Sequence, residues 1–247
     1  VHEANEKRER MEKKALVYTG KAKKLYQTEN AAVLFVEYLD QATALNGQKK
    51  DKVLGKGALN NQITSLIFEH LQQQKIPNHF IKKVSEHEQL IQAVEMIPLE
   101  VVVRNYAAGS FSKRLAIEEG TKLVTPIIEF YYKEDRLDDP FINEDHIQFL
   151  KVATPAEIVE IKALALQINQ ALSQLFQRLN ICLIDFKIEI GRTKANQLLL
   201  ADEISPDTCR LWDLNTNEHL DKDVYRRELG EIVPVYEEVL QRLLTAN

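Results

Sequence analysis

Apolar positions along the chain recur with two periods, and each period predicts a kind of element. From Ile181 to Ile190 they alternate. Cys182, Ile184, Phe186, Ile188 and Ile190 share one face, while Asp185, Lys187 and Glu189 share the other, as in a strand. The turn-prone stretch GRTKANQ follows, and a second apolar run, Leu198 to Ala201, stops abruptly at Asp202-Glu203. If the two runs pair as a hairpin, Asp185 or Glu189 lies opposite Asp202 on a shared face; a slip of one residue puts Glu203 there instead. After Pro98 a second alternation sets Leu99, Val101 and Val103 on one face and Glu100, Val102 and Arg104 on the other. Helical spacing appears in Leu59, Ile63, Leu66, Ile67 and Leu71, a helix that Pro77 stops. It appears again in Ile158, Ile161, Ala165, Ile168, Leu172, Leu175, Phe176 and Leu179, the longest helix, which opens at Thr154-Pro155.

The remaining elements follow from shorter signals. Two β-rich runs, ALVYT and AAVLFVEYLD, lie on either side of a Gly-Lys-Ala-Lys turn and predict a hairpin or glycine-rich flap. The segment ATALNGQKKDKVLGKG reads as a loop, FIKKVS as a strand, and Glu86 to Glu95 as a short amphipathic helix. Gly109 breaks the strand that begins at Pro98, Ser110 caps a following helix, and Gly120 ends it. The acid- and aromatic-rich passage from Thr125 to His146 reads by default as a loop with solvated charges, with Lys133 and Asp139 the candidates to face a cleft. The last segment, Asp221 to Leu244, reads as helical, with Pro234 forcing a break or a new first turn.

Composition narrows the function classes. With 247 residues, 45% of them hydrophobic and 28% charged, the chain can bury a substantial core in one large domain or two modest ones. A formal net charge of −5 argues against a nucleic-acid partner, for which a basic domain is normal. The two cysteines, Cys182 and Cys209, have no CxxC spacing and fit a reducing compartment. No apolar run approaches the ~18 residues of a membrane span, and no signal-peptide core stands near the start, so a cytoplasmic protein without a membrane partner is expected. Residues 1–10, VHEANEKRER, are polar and aperiodic, and they read as a disordered or artificial extension outside the fold.

The candidate chemistry lies on the strands. Three carboxylates and a lysine on one patch suit a hard cation such as Mg²⁺ together with substrate phosphates, and a lysine among them can neutralise a transferring phosphoryl group. A solvated strand face with a surface ion pair accounts for Asp185-Lys187-Glu189 about equally well. The SPDxCR segment after Asp202 favours the site, because it adds polar groups at the end of a buried strand. The Gly20-Lys21-Ala22-Lys23 turn lets backbone approach a triphosphate with lysines beside it, although a basic hairpin tip is the commoner meaning of such a segment. The phosphate loop GxxxxGK followed by Ser or Thr is absent, and Gly55-Lys56-Gly57 is too short for a dinucleotide fingerprint. A helix start at Ser110 with Arg104 beside it suits a phosphate, but an ordinary capped helix looks the same. Arg226 and Arg227 serve an anion or the surface equally. His146 lacks the spaced cysteine or histidine partners of a zinc site.

In YTGKAKKLY, GKGALNNQ, IPLEVVVRNYAAGS, DDPFINE, IDFKIEIG and LADEISPDTCRLWD, in that order from about Leu16 to the C-terminal helix, the chain resembles the SAICAR synthetase family. The third and fifth segments resemble its two signature stretches. The resemblance implies an α+β fold. A smaller N-terminal antiparallel-sheet domain (11–96, nucleotide-binding) would join a larger C-terminal α+β domain (97–247, substrate- and metal-binding), with ATP in the cleft between them. It implies a homodimeric ATP-dependent ligase of purine biosynthesis. The carboxylate of CAIR, an aminoimidazole ribonucleotide, would be joined to the amine of L-aspartate through an acyl phosphate, giving SAICAR, ADP and phosphate. Residue by residue, Gly20, Lys21, Ala22 and Lys23 would cover the ATP phosphates, with Met96 and Lys133 also at ATP. Glu189 and Asp202 would hold Mg²⁺ and ATP. Asp185, Lys187 and Asp207 would adjoin the reacting groups, with Asp207 and the departing phosphate both candidates to take the amine proton. Arg104, Ser110, Arg210 and Asn46 would bind CAIR, and Lys222 and Arg226, more loosely, aspartate. Ile190 stands where many relatives have phenylalanine, and Asn46 where some have aspartate. On the residues alone, an ATP-dependent phosphotransferase and a nucleotide-binding regulatory protein also remain, the second disfavoured by the intact Lys187, Glu189, Asp202 and Arg210.

Overall fold

The computed structural model describes residues 11–44, 47 and 49–245; the extension 1–10 and Asn46 lie outside the described residues. The turn Gly20–Ala22 is closed by the expected hairpin of β1 (Leu16–Thr19) and β2 (Lys23–Gln27). Next come β3 (Val33–Tyr38), then β4 (Gln41–Ala44) and β5 (Lys49–Lys52), a separate antiparallel pair where a loop was expected. The polar KKDK of β5 has no strand pattern of its own and is extended because it pairs with β4, whose Ala42 and Ala44 are buried. The helix predicted from the Leu59–Leu71 stripe is α1 (Lys56–Gln73), and β6 (Phe80–Lys83) follows Pro77. Glu86–Glu95 is not a helix. Its centre is β7 (Glu88–Gln92), which lies between β3 and β6 and buries Leu90 and Ile91 there. Two ladders of backbone hydrogen bonds outweigh the weak helical preference of so short a run. The first sheet is therefore β1-β2-β3-β7-β6, antiparallel throughout.

The second sheet is organised by long strands. β8 (Glu95–Tyr106) carries the expected alternation and leads through a tight junction into α2 (Gly109–Leu115). That helix is capped at Ala108 without a side-chain bond and ends at Ala116, so Ser110 is not its cap and Gly120 does not end it. β9 (Lys122–Tyr132) takes up the first part of the passage expected as a loop, from Thr125 to Tyr132, paired along β8, with β10 (Phe141–Ile142) beyond it. α3 (Glu144–Phe149) is closed by a capping box in which His146 bonds the Asn143 backbone. α4 (Pro155–Arg178) is the longest helix. Thr154 and Glu157 form its capping box with Pro155 in the first turn, and its apolar stripe is buried.

β11 (Ile181–Arg192) is the central strand. β8 runs along one edge of it, and β12 (Leu198–Ala201) and β13 (Cys209–Asp213) share the other edge at opposite ends. α5 (Asp223–Arg226) and α6 (Ile232–Thr245), with Pro234 in its first turn, complete the chain. Ile184, Phe186, Ile188 and Ile190 are each 1% exposed, and burial of each contributes roughly 1.5–3 kcal/mol. One core cluster joins α4, α6 and the second sheet to the stripe of α1. The N-terminal helix thus packs across the 96/97 position, and its Lys56 end is held against the C-terminal half. Among the described residues no helix is long and apolar enough to cross a membrane.

Candidate active site

The site forms where β12 has ended and β13 has not begun. Glu189 pairs with Ala201, the last residue of β12, and Phe186 with Cys209, the first of β13. Between them the chain from Asp202 to Thr208 leaves the ladder, returning one bond from Lys187 N–H to the Thr208 carbonyl at 2.8 Å. Neither hairpin register expected from the sequence occurs, because Asp202 lies one residue past the last pair. Its φ of 60° is left-handed, a conformation that costs a non-glycine residue roughly 1–2 kcal/mol. Gly57 allows the close approach of α1: a Cβ there would lie 2.7 Å from the Tyr38 carbonyl oxygen.

A first cluster gathers on the polar face of β11. Lys187 Nζ donates to Glu189 Oε1 at 3.1 Å and to Glu100 Oε1 at 3.0 Å, and Lys133 Nζ donates to Glu189 Oε2 at 2.5 Å. Lys23, from the glycine turn, donates to Asp202 Oδ1 at 2.5 Å and stands 3.5 Å from Glu203 Oε1. Lys21 reaches Asp135 Oδ1 at 3.1 Å, so the turn is tied to the segment that joins β9 to β10. Burial alone would raise the Asp202 carboxyl, but Lys23, Lys187 and Lys133 outweigh it and hold it well below the usual range. Burial pushes Glu203 the other way, upward, despite Lys23. Lys187 stays charged because Glu189, Glu100 and Asp202 overcome its desolvation. His79, 4% exposed, faces this corner, and burial pulls its imidazole down to about 4.

A second cluster begins two residues along the same face. Asp185 Oδ2 accepts from Arg104 Nη1 at 2.7 Å and from Arg210 Nη1 at 3.0 Å. Glu129 takes Arg104 Nε at 2.7 Å, Asp223 takes Arg210 Nε at 2.9 Å, and Arg104 Nη2 donates to Ser110 Oγ at 3.2 Å. The guanidinium of Arg210 lies directly over Gly109, filling the space a Cβ would need. Arg226 Nη1 donates to Asp223 Oδ1 at 2.8 Å. Burial opposes ionisation of Asp223, yet Arg210 and Arg226 bring it down to about 2.

Between the two, Asp207 accepts from Lys56 Nζ at 2.6 Å and from the Tyr236 hydroxyl, with Lys222 Nζ at 3.6 Å. Desolvation would raise Asp207, but Lys56 and Lys222 hold it well below the carboxylate range. Burial lowers Lys222, helped by Lys56. Met96, 39% exposed and opposite Gly191, stands farther along the β8–β11 pair and outside both clusters. Asp139 Oδ1 accepts from the Glu134 backbone N–H at 2.9 Å. His219, Asp221 and Asp223 also converge, but the carboxylate oxygens there already accept from Arg210, Arg226 and the Leu211 and Asp223 backbones. Two surface hollows, one lined by Lys151, Glu157 and Arg192 and one by Arg178, Asp213 and Arg242, lie away from the charged clusters.

Sequence reasoning did not single out Lys56, Glu129, Asp223 or Tyr236. Only Lys56 carried a signal, its place in GKGALNNQ, where Gly55-Lys56-Gly57 reads as the end of a loop rather than the start of α1. Glu129 lies on β9, in the passage whose acids and aromatics read as loop.

The family model described as SAICAR synthetase matches residues 16–243. The chain belongs to the SAICAR synthetase family. It is 60% identical over 228 residues to the phosphoribosylaminoimidazole-succinocarboxamide synthase of Listeria monocytogenes, covering 92% of this chain and 96% of that one. The namesake from Lactococcus lactis is 56% identical over 237 residues, covering 96% and 100%. Among solved structures, the synthase from Ehrlichia chaffeensis superposes with a TM-score of 0.91 at 46% identity, covering 93% of this chain and 98% of the other. A Type-2 SAICAR synthetase in complex with ADP gives 0.90 at 43% identity, covering 93% and 97%. SAICAR synthetases are ATP-dependent ligases of purine biosynthesis, and this chain is one of those enzymes.

Proposed function

We propose that the enzyme joins the carboxylate of CAIR to the amine of L-aspartate through an acyl phosphate, on the polar face of β11. The observation that carries this reading is the order of that face. Glu189, Lys187 and Asp185 follow one another at strand spacing, with a lysine-and-acid cluster at one end and an arginine cluster at the other. A triphosphate at the first and a ribonucleotide phosphate at the second would bring the γ-phosphoryl group and the CAIR carboxylate together over Lys187.

The carboxylate of CAIR is a poor acyl donor because oxide would have to leave. Attack of its oxygen on the γ-phosphorus breaks the bond to ADP and makes phosphate the later leaving group. Lys23, Lys133 and Lys187 spread the charge of that transfer. The carboxylates of Glu189 and Asp202 offer hard oxygen donors only, and among lysines that counter a triphosphate they fit Mg²⁺. When bound, that ion would supply Lewis-acid stabilisation of the phosphoryl oxygens. Glu129, Asp185 and Asp223 orient the Arg104 and Arg210 forks before any ligand arrives, so the ribonucleotide phosphate meets preset donors. Lys222 and Arg226 offer cationic ends for the carboxylates of aspartate. Closure of the Gly20–Lys23 turn would exclude the water that hydrolyses an acyl phosphate.

Asp207 is a weak base in this setting, since Lys56 and Lys222 stabilise its ionised form. Its role is to hold Lys56 and Lys222, and the departing phosphate takes the amine proton. A homodimer in the cytoplasm belongs to the same reading and rests on the family resemblance. The test is ADP release with CAIR and aspartate supplied separately and together. Joint dependence with SAICAR formed supports the ligase; ADP formed on CAIR alone, with phosphorylated product accumulating, would make the enzyme a phosphotransferase.

A further inference from the structure

Asp202 holds a left-handed backbone, with φ at 60°, although it is not glycine. Such a conformation persists only where its surroundings over-determine it. On one side, Ala201 is locked in its pair with Glu189. On the other, the Asp202 carbonyl lies 3.2 Å from His79 Nε2. A carbonyl oxygen only accepts, so Nε2 carries the proton, and Nδ1 is buried without a partner among the described residues.

The His79 backbone is held on both sides, and its ring is packed. His79 N–H donates to the Leu200 carbonyl at 2.9 Å, its carbonyl accepts from Gln92 N–H at 2.7 Å, and the Phe68 ring packs edge-on at 5.6 Å. Gln92 ends β7 of the first sheet and Leu200 belongs to β12 of the second, so the His79 backbone ties the two sheets together beside Asp202.

We propose that His79 is a positioning residue for the metal–triphosphate site. Its Nε2–H holds the Asp202 carbonyl, and with it the backbone that aims the Asp202 carboxylate back toward Lys23 and Glu189. This rests on Asp202 being a metal-triphosphate ligand. His79→Phe keeps the packed ring and removes the donor, while His79→Gln keeps an N–H at nearly the Nε2 position. Calorimetric titration with ADP, with Mg²⁺ and with EDTA, reads the effect without turnover. Expected is about a tenfold loss of MgADP affinity in His79→Phe, the worth of one hydrogen bond, with metal-free ADP affinity unchanged and His79→Gln within about threefold of wild type.

Wild-type MgADP affinity in His79→Phe, or an equal loss with and without metal, overturns the proposal. Should His79→Phe not fold, Gln is compared with His79→Asn, whose shorter amide does not reach the carbonyl; equal affinities of the two overturn it. Asp202→Asn separates the two levels. If that variant also binds MgADP normally, the ligand reading of Asp202 fails; if it alone loses affinity, only the role of His79 fails.

Discussion

Gly109→Ala is the sharpest test of how the fold builds the arginine cluster, because glycine is required there twice. Its φ is 55°, and the space for a Cβ is filled by the Arg210 guanidinium. The backbone term costs roughly 1–2 kcal/mol of stability. The steric term acts on function. The methyl group must displace a guanidinium bonded to Asp185 and Asp223, and a charge-assisted hydrogen bond is worth about 1.5–3 kcal/mol. Loss of one such contact to the ribonucleotide phosphate predicts roughly a 10- to 150-fold fall in kcat/KM for CAIR, with KM for ATP within twofold of wild type. Steady-state kinetics with each substrate varied in turn, beside thermal melts, separate the two terms. The effect must also vanish in an Arg210→Ala background, where no fork remains to displace. An unchanged KM and kcat for CAIR in a folded Gly109→Ala enzyme, or full additivity with Arg210→Ala, would refute the reasoning.

Two further outcomes are expected. Glu189→Ala leaves Lys187 its partner Glu100 and so folds, but kcat falls by about 10²–10³ or more, since the lysines then lack the oxygen donor among them; normal turnover at saturating Mg²⁺ excludes Glu189 from the site. Glu157, bonded by Arg192 and by the Thr154 backbone, titrates near 2 in the folded enzyme against an ordinary 4.5, so its stabilisation is full above the unfolded value and disappears as pH falls through the folded one. Glu157→Gln should therefore be less stable than wild type by about 1–2 kcal/mol at pH 7, allowing for solvent screening, and urea titrations should converge between about pH 5 and pH 2. A gap that is the same at both ends of that window removes the charge from the account.

The local periods of the sequence determined the long elements. The alternation of Ile181–Ile190 and Leu99–Arg104 and the stripes of α1 and α4 each bury one face wherever the chain goes, so each is legible without knowing its partner. The family motifs, too, lie in contiguous residues and were legible at once. What the sequence did not determine is set by distant partners. Glu88–Gln92 is a strand because β3 and β6 stand on both sides of it, and Lys49–Lys52 is one because β4 lies beside it. The alternation marked Asp185, Lys187 and Glu189 as a face but left the register of Asp202 open, since pairing energy depends on both strands. Only the tertiary structure ends β12 at Ala201, turns Asp202 left-handed against His79, lays Arg210 over Gly109 and buries Lys56 on Asp207. The physical reason is range: apolar spacing acts within one element, whereas a charged group is placed by whichever opposite charge and backbone the whole fold carries to it.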